Sequence, residues 1–308
     1  MVITDVFDYS HVDYDYKILY KFMPVLYLHP DEKISPLSFE KYILKSELCV
    51  FGKRKTIQKT PFTPPETIRE FRNVLINEGD IRLPLNNFYN NIPNIYLNYC
   101  GNYSKPTQPN LDLVPIYGMV RHYKHFIDII YIFNYPYNES YKLFGMYIGG
   151  QHQADIEYIR VRIDNNNFFN DIIPITVKKI FYSAHNDNQG MWVKGEDVHW
   201  ENGKINTRPI VYVSKDNHAN YPWPGTWLRM LGFANDITTK KNAIIWKPNT
   251  VINLKQRDDL MSFRGKMGNN GVTSLYRDWD DIPPNNKSSF TNRFFNSFFT
   301  KINCLDRN

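Results

Sequence analysis

Between residues 113 and 214 the chain alternates short apolar runs with turn-forming clusters, and the runs have the length of strands rather than helices. Residues 113–120, 126–135, 141–148, 156–163, 172–185, 191–193 and 209–214 each read as a strand. Pro136-Tyr137-Asn138, Asp164-Asn165-Asn166-Asn167 and Asn202-Gly203 mark turns between them, because Pro, Asn and Gly supply the backbone angles that turns require. Closely spaced strands with no helical period between them predict an antiparallel sandwich or barrel.

Helical spacing is confined to the flanks. Ser38 stands as a cap before Phe39, Tyr42 and Ile43, and the run 22–28 before His29-Pro30 reads as a strand. A second helix is predicted from about Pro65, with Thr63 or Pro64 at its cap, Ile68, Phe71 and Leu75 on one face and Gly79 as its stop. Residues 80–110 are rich in Asn, Pro and Tyr and read as a surface excursion with one strand near 95–97. Residues 1–20 have no clear period and read as an irregular arm or edge strand. After Ser288, Phe290, Phe294, Phe298 and Ile302 fall on one helical face with Phe295 and Phe299 alongside, predicting a C-terminal helix packed on the sheet. Docking to a membrane or partner is the alternative use of such a stripe. The expected fold is mainly β: one antiparallel β-sandwich-like domain over 21–284, an arm over 1–20, a few short peripheral helices and an aromatic helix over 285–308.

Composition sharpens this reading. A length of 308 residues suffices for a large core without staples, and 22 Tyr and 20 Phe favour strands. The net charge of +6 is dispersed, with Lys53-Arg54-Lys55 the one basic triplet, which is no nucleic-acid signature. Cys49, Cys100 and Cys304 are too widely and unevenly spaced for a disulfide framework or a thiolate zinc site, which fits a reducing compartment. The N-terminus has neither a basic nor an apolar leader region, and no apolar run reaches membrane-spanning length. These features predict a soluble, intracellular, cytoplasmic protein. Abundant Asn, Ile, Lys and Tyr reflect an AT-rich coding bias of the kind found in protists or large DNA viruses, so a virion location is a further expectation.

There is no Gly-rich phosphate loop, no Gly-x-Ser-x-Gly elbow and no His-Glu-x-x-His, which removes the common kinase and hydrolase classes. The chemistry concentrates in the stretch from Gly149-Gly150 to Ile163. Asp155 and Glu157 are two apart and share a strand face with Ile159, Val161 and Ile163, so they head a core-facing row and need partners there. His152 has the wrong parity, but the Gly-Gly entry permits a turn or bulge that would turn it to the same side. One imidazole with two carboxylates suits a metal or an acid/base site. The plain alternative is a buried hydrogen-bond network closed by Arg160 or a lysine. His185 and His218 follow strands and could converge on the same end, although a solvated turn and a loop brace are their simpler roles. Tyr221 and Trp223 lie in the Pro-rich loop after His218. His29, His122, His125 and His199 read as structural or surface residues.

The order of Pro24-Val25-Leu26-Tyr27-Leu28-His29-Pro30-Asp31-Glu32, Pro36-Leu37-Ser38-Phe39, Val114-Pro115-Ile116-Tyr117, Phe133-Asn134-Tyr135-Pro136-Tyr137-Asn138, Gly150-x-His152-x-Ala154-Asp155-Ile156-Glu157, Ser183-Ala184-His185 and His218-Ala219-Asn220-Tyr221-Pro222 resembles the vacuolar protein sorting-associated protein 62 family. The likeness spans roughly residues 20 to 280. That family's name reflects a sorting phenotype and implies no defined reaction. Ala154, Ile156 and Tyr158 stand where its pattern has Gly, Trp and His. The His-x-x-Asp-x-Glu spacing is also similar to the heptapeptide of the necrosis- and ethylene-inducing peptide-like cytolysins. Those are β-sandwich proteins that use a divalent cation in recognising sphingolipid headgroups. The resemblance implies that His152, Asp155 and Glu157 are cation ligands.

The expected function is non-enzymatic binding of a glycan, lipid headgroup or protein partner. It would depend on a divalent cation (Ca, Mg or Zn), with His218, Tyr221, Trp223 and His185 contacting the ligand. The alternatives are a metal-dependent hydrolase with Glu157 or His218 as general base, and a structural component of a virus particle.

Overall fold

The computed structural model describes residues 9–50, 55–58, 95–103, 110–139, 142–143, 146–147, 150–164, 175–229, 235–261, 265–268, 279 and 281–283. The helix expected from Pro65, the turn at 165–167 and the Phe stripe after Ser288 lie outside the described residues.

The structure is mostly β and sandwich-like, as expected. Its centre is a six-stranded sheet in the order β11-β10-β9-β6-β5-β17. These strands are β5 (Ile116–His122), β6 (Phe126–Asn138), β9 (His152–Asp164), β10 (Val177–Ala184), β11 (Asn186–Lys194) and β17 (Val251–Asn253). Strands β6 and β9, 13 residues each, form its spine in an antiparallel register that sets Tyr131 opposite Ile159, Phe133 opposite Glu157 and Tyr135 opposite Asp155.

Both faces of this sheet are covered. On one, Ile129, Tyr131, Phe133, Ile159 and Val161 meet Leu26, Leu28, Val211, Val213 and Trp246. The latter come from a four-stranded sheet of β1 (Val25–Leu28), β12 (Ile210–Val213), β13 (Asn220–Tyr221) and β16 (Ile244–Trp246). On the other face, Ile130, Ile132, Tyr158 and Phe181 meet Phe39 and Tyr42 of a short helix, α2 (Phe39–Leu44). Leu97, Tyr99 and Met267 join them from a second four-stranded sheet of β2 (Ser46–Val50), β3 (Lys55–Gln58), β4 (Ile95–Tyr99) and β18 (Lys266–Met267). Burial on both sides explains why β6 reads as a continuous apolar run instead of an alternating one.

Ser38 caps α2 as its sequence predicts, its side chain accepting the Lys41 N–H. The predicted run 141–148 is reduced to the two-residue strands β7 (Lys142–Leu143) and β8 (Met146–Tyr147) among the described residues. The pairs β1–β12, β5–β17 and β4–β18 are parallel, so the sandwich is mixed and not purely antiparallel.

The N-terminal arm is where the structure departs most from expectation, because residues 9–21 form a helix, α1 (Tyr9–Lys21). Only its last turn is apolar: Ile18 and Leu19, with Phe22 just beyond, are buried in the first core. Tyr131 donates its hydroxyl to the Leu19 carbonyl, satisfying a helix-end group that packing would otherwise strand. Among the described residues no helix is long and apolar enough to cross a membrane.

Candidate functional site

The site lies where β9 begins. Ala154 adopts a left-handed φ of 54°, costly for a residue with a Cβ, and interrupts the strand alternation. Gln153 and Ala154 both turn to the second layer, where Gln153 Nε2 donates to the Tyr99 carbonyl and the Tyr103 hydroxyl, while Asp155 and Glu157 face the first. The turn or bulge that sequence reasoning allowed takes the form of a local left-handed twist at Ala154 with no inserted residue, since β6 and β9 pair in one register on both sides of it. It does not deliver His152 to the carboxylates, since His152 Nδ1 lies 3.0 Å from the Ala154 carbonyl oxygen and 3.3 Å from that of Gln153.

The imidazole that does reach the carboxylates is His218. Its Nδ1 is 2.9 Å from Asp155 Oδ2, and its ring is stacked on Tyr135 at 3.9 Å and 7°. Its Nε2 lies 3.7 Å from Glu32 Oε1, too long for a hydrogen bond, and has no other partner. Burial disfavours a charge on this fully enclosed ring, but Glu32 and Asp155 more than offset that and push its pKa up to about 10. His218 is therefore an imidazolium, with Nδ1–H donating to Asp155.

Glu157 has the opposite problem. It is 6% exposed, and burial first, then the Asp155 charge, raise its carboxyl well above the ordinary value. Ser183 Oγ donates to Glu157 Oε2 and itself accepts the Tyr158 N–H at 2.9 Å and Asn220 Nδ2 at 3.3 Å. Burial also works against the charge on Glu32, but His218 and the backbone N–H groups of Ile34 and Asp216 bring its carboxyl below the usual value. The Tyr135 hydroxyl is buried without a partner, its phenol raised by burial and by the charges of Asp155, Glu32 and Glu157. Three carboxylates thus surround one imidazolium and one orphaned hydroxyl.

His185 and Tyr221 belong to an adjoining cluster around Asp236, on strand β15 (Asp236–Thr238). Asp236 Oδ2 accepts from His185 Nε2 at 2.7 Å and from the Tyr221 hydroxyl at 2.5 Å, and Oδ1 accepts from Asn217 Nδ2 at 2.5 Å. Burial opposes ionisation of Asp236, yet His185 and then Arg229 hold its carboxyl below the usual range. The Tyr221 ring stacks on Trp227 at 4.3 Å, and Trp227 in turn lies parallel to Trp223 at 6.3 Å. Trp223 Nε1 donates to the Asp197 carbonyl at 3.0 Å. Arg160, the expected closure of a purely structural network, points into the opposite layer and pairs there with Asp128 at 3.3 Å.

Asp155, Glu157 and His218 are thus brought together, His185 and Tyr221 are next to them, and His152 is apart. Glu32, Tyr135, Ser183 and Asp236 complete the arrangement and were not singled out as site residues by sequence reasoning. Glu32 and Tyr135 stood inside the family-like motifs, but nothing local marks Asp236. Backbone strain is a second signature of the site: Ala154, His185, Asp216 and His218 all have left-handed φ without being glycine. Among the described residues no three His, Cys, Asp or Glu side chains converge closely enough, as they stand, to hold a metal ion.

Residues 101–248 match the family described as vacuolar protein sorting-associated protein 62. The family resemblance is therefore shown over this segment. The vacuolar protein sorting-associated protein 62 segment contains every site residue named above except Glu32. No curated protein matches the chain. Among solved structures the chain is similar to NLPPya in complex with mannosamine, at 16% identity over 83% of each chain with a TM-score of 0.37. It is also similar to the non-toxic HaNLP3 protein, at 11% identity over 82% of each chain with a TM-score of 0.37. A third is a "toxin fold for microbial attack and plant defense", at 14% identity over 80% of this chain and 79% of that one, with a TM-score of 0.35. Likeness at this level carries no functional argument.

Proposed function

We propose that this chain is a non-enzymatic binding protein in which Asp155 and Glu157 hold a divalent cation beside a glycan or lipid headgroup. The observation that carries the reading is the pairing of these two buried carboxyls. Burial first and then the Asp155 charge raise Glu157, and the nearby Ser183 and His218 do not offset them. A dication supplies the missing charge, and carboxylate oxygens with an imidazole at hand suit Ca, Mg or Zn. Asp155 and Glu157 would hold it, with His152 the nearest imidazole in sequence once its Nδ1 leaves the Ala154 carbonyl. A cation held there would supply positive charge to a hydroxyl or phosphate oxygen of the ligand. Trp223 and Trp227, both part-exposed beside Tyr221, supply flat apolar surface of the kind that suits a sugar face.

A second reading has its own support. The His218 imidazolium bridging two carboxylates, and Ser183 bonded to Glu157, also suit a structural network with no ligand. Calorimetric titration with Ca²⁺, Mg²⁺ and Zn²⁺ separates the two. Wild type should bind at least one of them, releasing the Glu157 proton, with an affinity that rises with pH because the ion needs that carboxyl ionised. Asp155→Asn should weaken binding by roughly tenfold or more, the effect of losing one charged ligand. If wild type binds none of the three ions, the structural network is the correct account.

A further inference from the structure

We propose that Glu32 is a positioning residue of this site, pinning the 214–218 turn so that His218 faces Asp155. The inference rests on the cation reading only for its consequence in binding. Glu32 Oε2 accepts the Asp216 N–H at 2.8 Å, from a residue 184 positions away in sequence. Its Oε1 accepts the N–H groups of Lys33 and Ile34, each at 2.9 Å, and lies 3.7 Å from His218 Nε2. With both oxygens occupied by donors and only 2% of the side chain exposed, Glu32 serves as a fixed anion and not as a ligand donor.

The turn needs such a pin. Asp216 and His218 sit at φ values of 70° and 52°, in the left-handed region that side chains with a Cβ visit uncommonly. Other bonds hold its ends: Glu139 N–H donates to the Asp216 carbonyl at 2.9 Å, Lys215 N–H to Ile237 at 3.1 Å, and Ser214 N–H to Ala219 at 2.9 Å. Ser214 also bonds Asn217. Glu32 differs from these in bringing a charge, and it brings it to the imidazole face opposite Asp155. It therefore fixes both the backbone that carries His218 and the far side of its ring. It also ties the loop after β1 to a site whose other members lie in the family segment.

The test uses the full chain in EDTA, with ¹⁵N-labelled histidine and hydrogen exchange read on peptides covering 214–221 and 127–133. The His218 Nδ1–H resonance, assigned by its loss in His218→Gln, should be visible in wild type, since that proton is buried and bonded to Asp155. Glu32→Gln keeps the size but loses the charge. It should shift or broaden this resonance and speed exchange in 214–221 by roughly tenfold or more, the kinetic equivalent of one good hydrogen bond, while 127–133 stays protected. An unchanged ring resonance in Glu32→Gln overturns the proposal. Should 127–133 also lose protection, Glu32→Asp decides by the same resonance. Retention of the signal supports the charged pin, and behaviour identical to Glu32→Gln overturns it. A cation titration of the same variants keeps the two readings apart: if wild type binds no ion, the cation site falls while the ring resonance still judges Glu32.

Discussion

His218 is a buried histidine whose charge is part of the fold. Its pKa is pushed from 6.5 to about 10, so the folded state holds the proton more tightly than the unfolded chain does. Linkage then gives a stabilisation fully present below pH 6.5 and lost as the pH rises through about 10. Glu157 acts in the same direction. Its raised carboxyl favours folding below the ordinary value of 4.5 and progressively less above it, because burial and Asp155 both resist its ionisation. In EDTA the urea midpoint should fall between pH 6.5 and 10, a loss on the order of a few kcal/mol at about 1.4 kcal/mol for each tenfold difference in proton affinity. His218→Gln should flatten that slope. A slope that is equally steep in the variant would assign the loss to other groups. Glu157→Gln mimics the protonated carboxyl and should raise the urea midpoint of the ion-free protein near pH 8, because the variant has no charge to bury.

At the scale of elements, strand β9 carries the lesson about what a sequence discloses. Period-two parity placed Asp155 and Glu157 on the face of Ile159 and Val161, and the structure keeps them there, where a slip of one residue would carry both carboxyls into the other apolar layer. The β-rich architecture and the Ser38 cap were legible for the same reason: each depends on neighbours within a few positions. Glu32 and Asp236 were not, since they reach the site across 184 and 51 residues and leave no local period. Helix α1 was missed because, among the described residues, its fully buried apolar side chains are only Ile18 and Leu19 with the adjoining Phe22, so the sheet it rests on decides its state. His152 stays apart from the two carboxylates, its Nδ1 turned to the carbonyls of Gln153 and Ala154. Ala154, at φ 54° with its methyl fully buried, yields a sharp contrast. Ala154→Gly relieves strain and loses a methyl contact, two effects of about 1 kcal/mol that nearly cancel. Ala154→Val puts a branched side chain where φ is positive and should cost about 2–3 kcal/mol by thermal melting, with cation affinity falling in parallel. Equal melting temperatures for the two variants would mean that the left-handed twist at Ala154 is not rigidly set.

At the scale of the molecule, the central sheet is charged on one face and carboxylate-rich on the other, and each face solves its electrostatics separately. Asp128 and Arg160 are both fully buried on the face away from the candidate site, where Arg162 also grips Asp128, its Nε 2.7 Å from Oδ1. Arg160 reaches further, donating from Nη2 to the carbonyls of Trp279 at 2.9 Å and Asp281 at 3.0 Å. This holds the Trp279 ring edge-on against Tyr158 at 5.4 Å and 86°. One guanidinium therefore fastens Trp279 and Asp281 to the strand whose other end carries Asp155 and Glu157. Removing it strands two carbonyls and leaves Asp128 to Arg162 alone, a loss of about 3 kcal/mol. Arg160→Met should lower the urea midpoint accordingly and speed proteolysis near 279–283, and Arg160→Lys should not restore either, because an ammonium cannot span the three acceptors. Cation binding should stay at wild-type strength in both variants, since the sheet separates the two networks. A fall in cation affinity matching that of Asp155→Asn would instead mean that the two faces are coupled through β9.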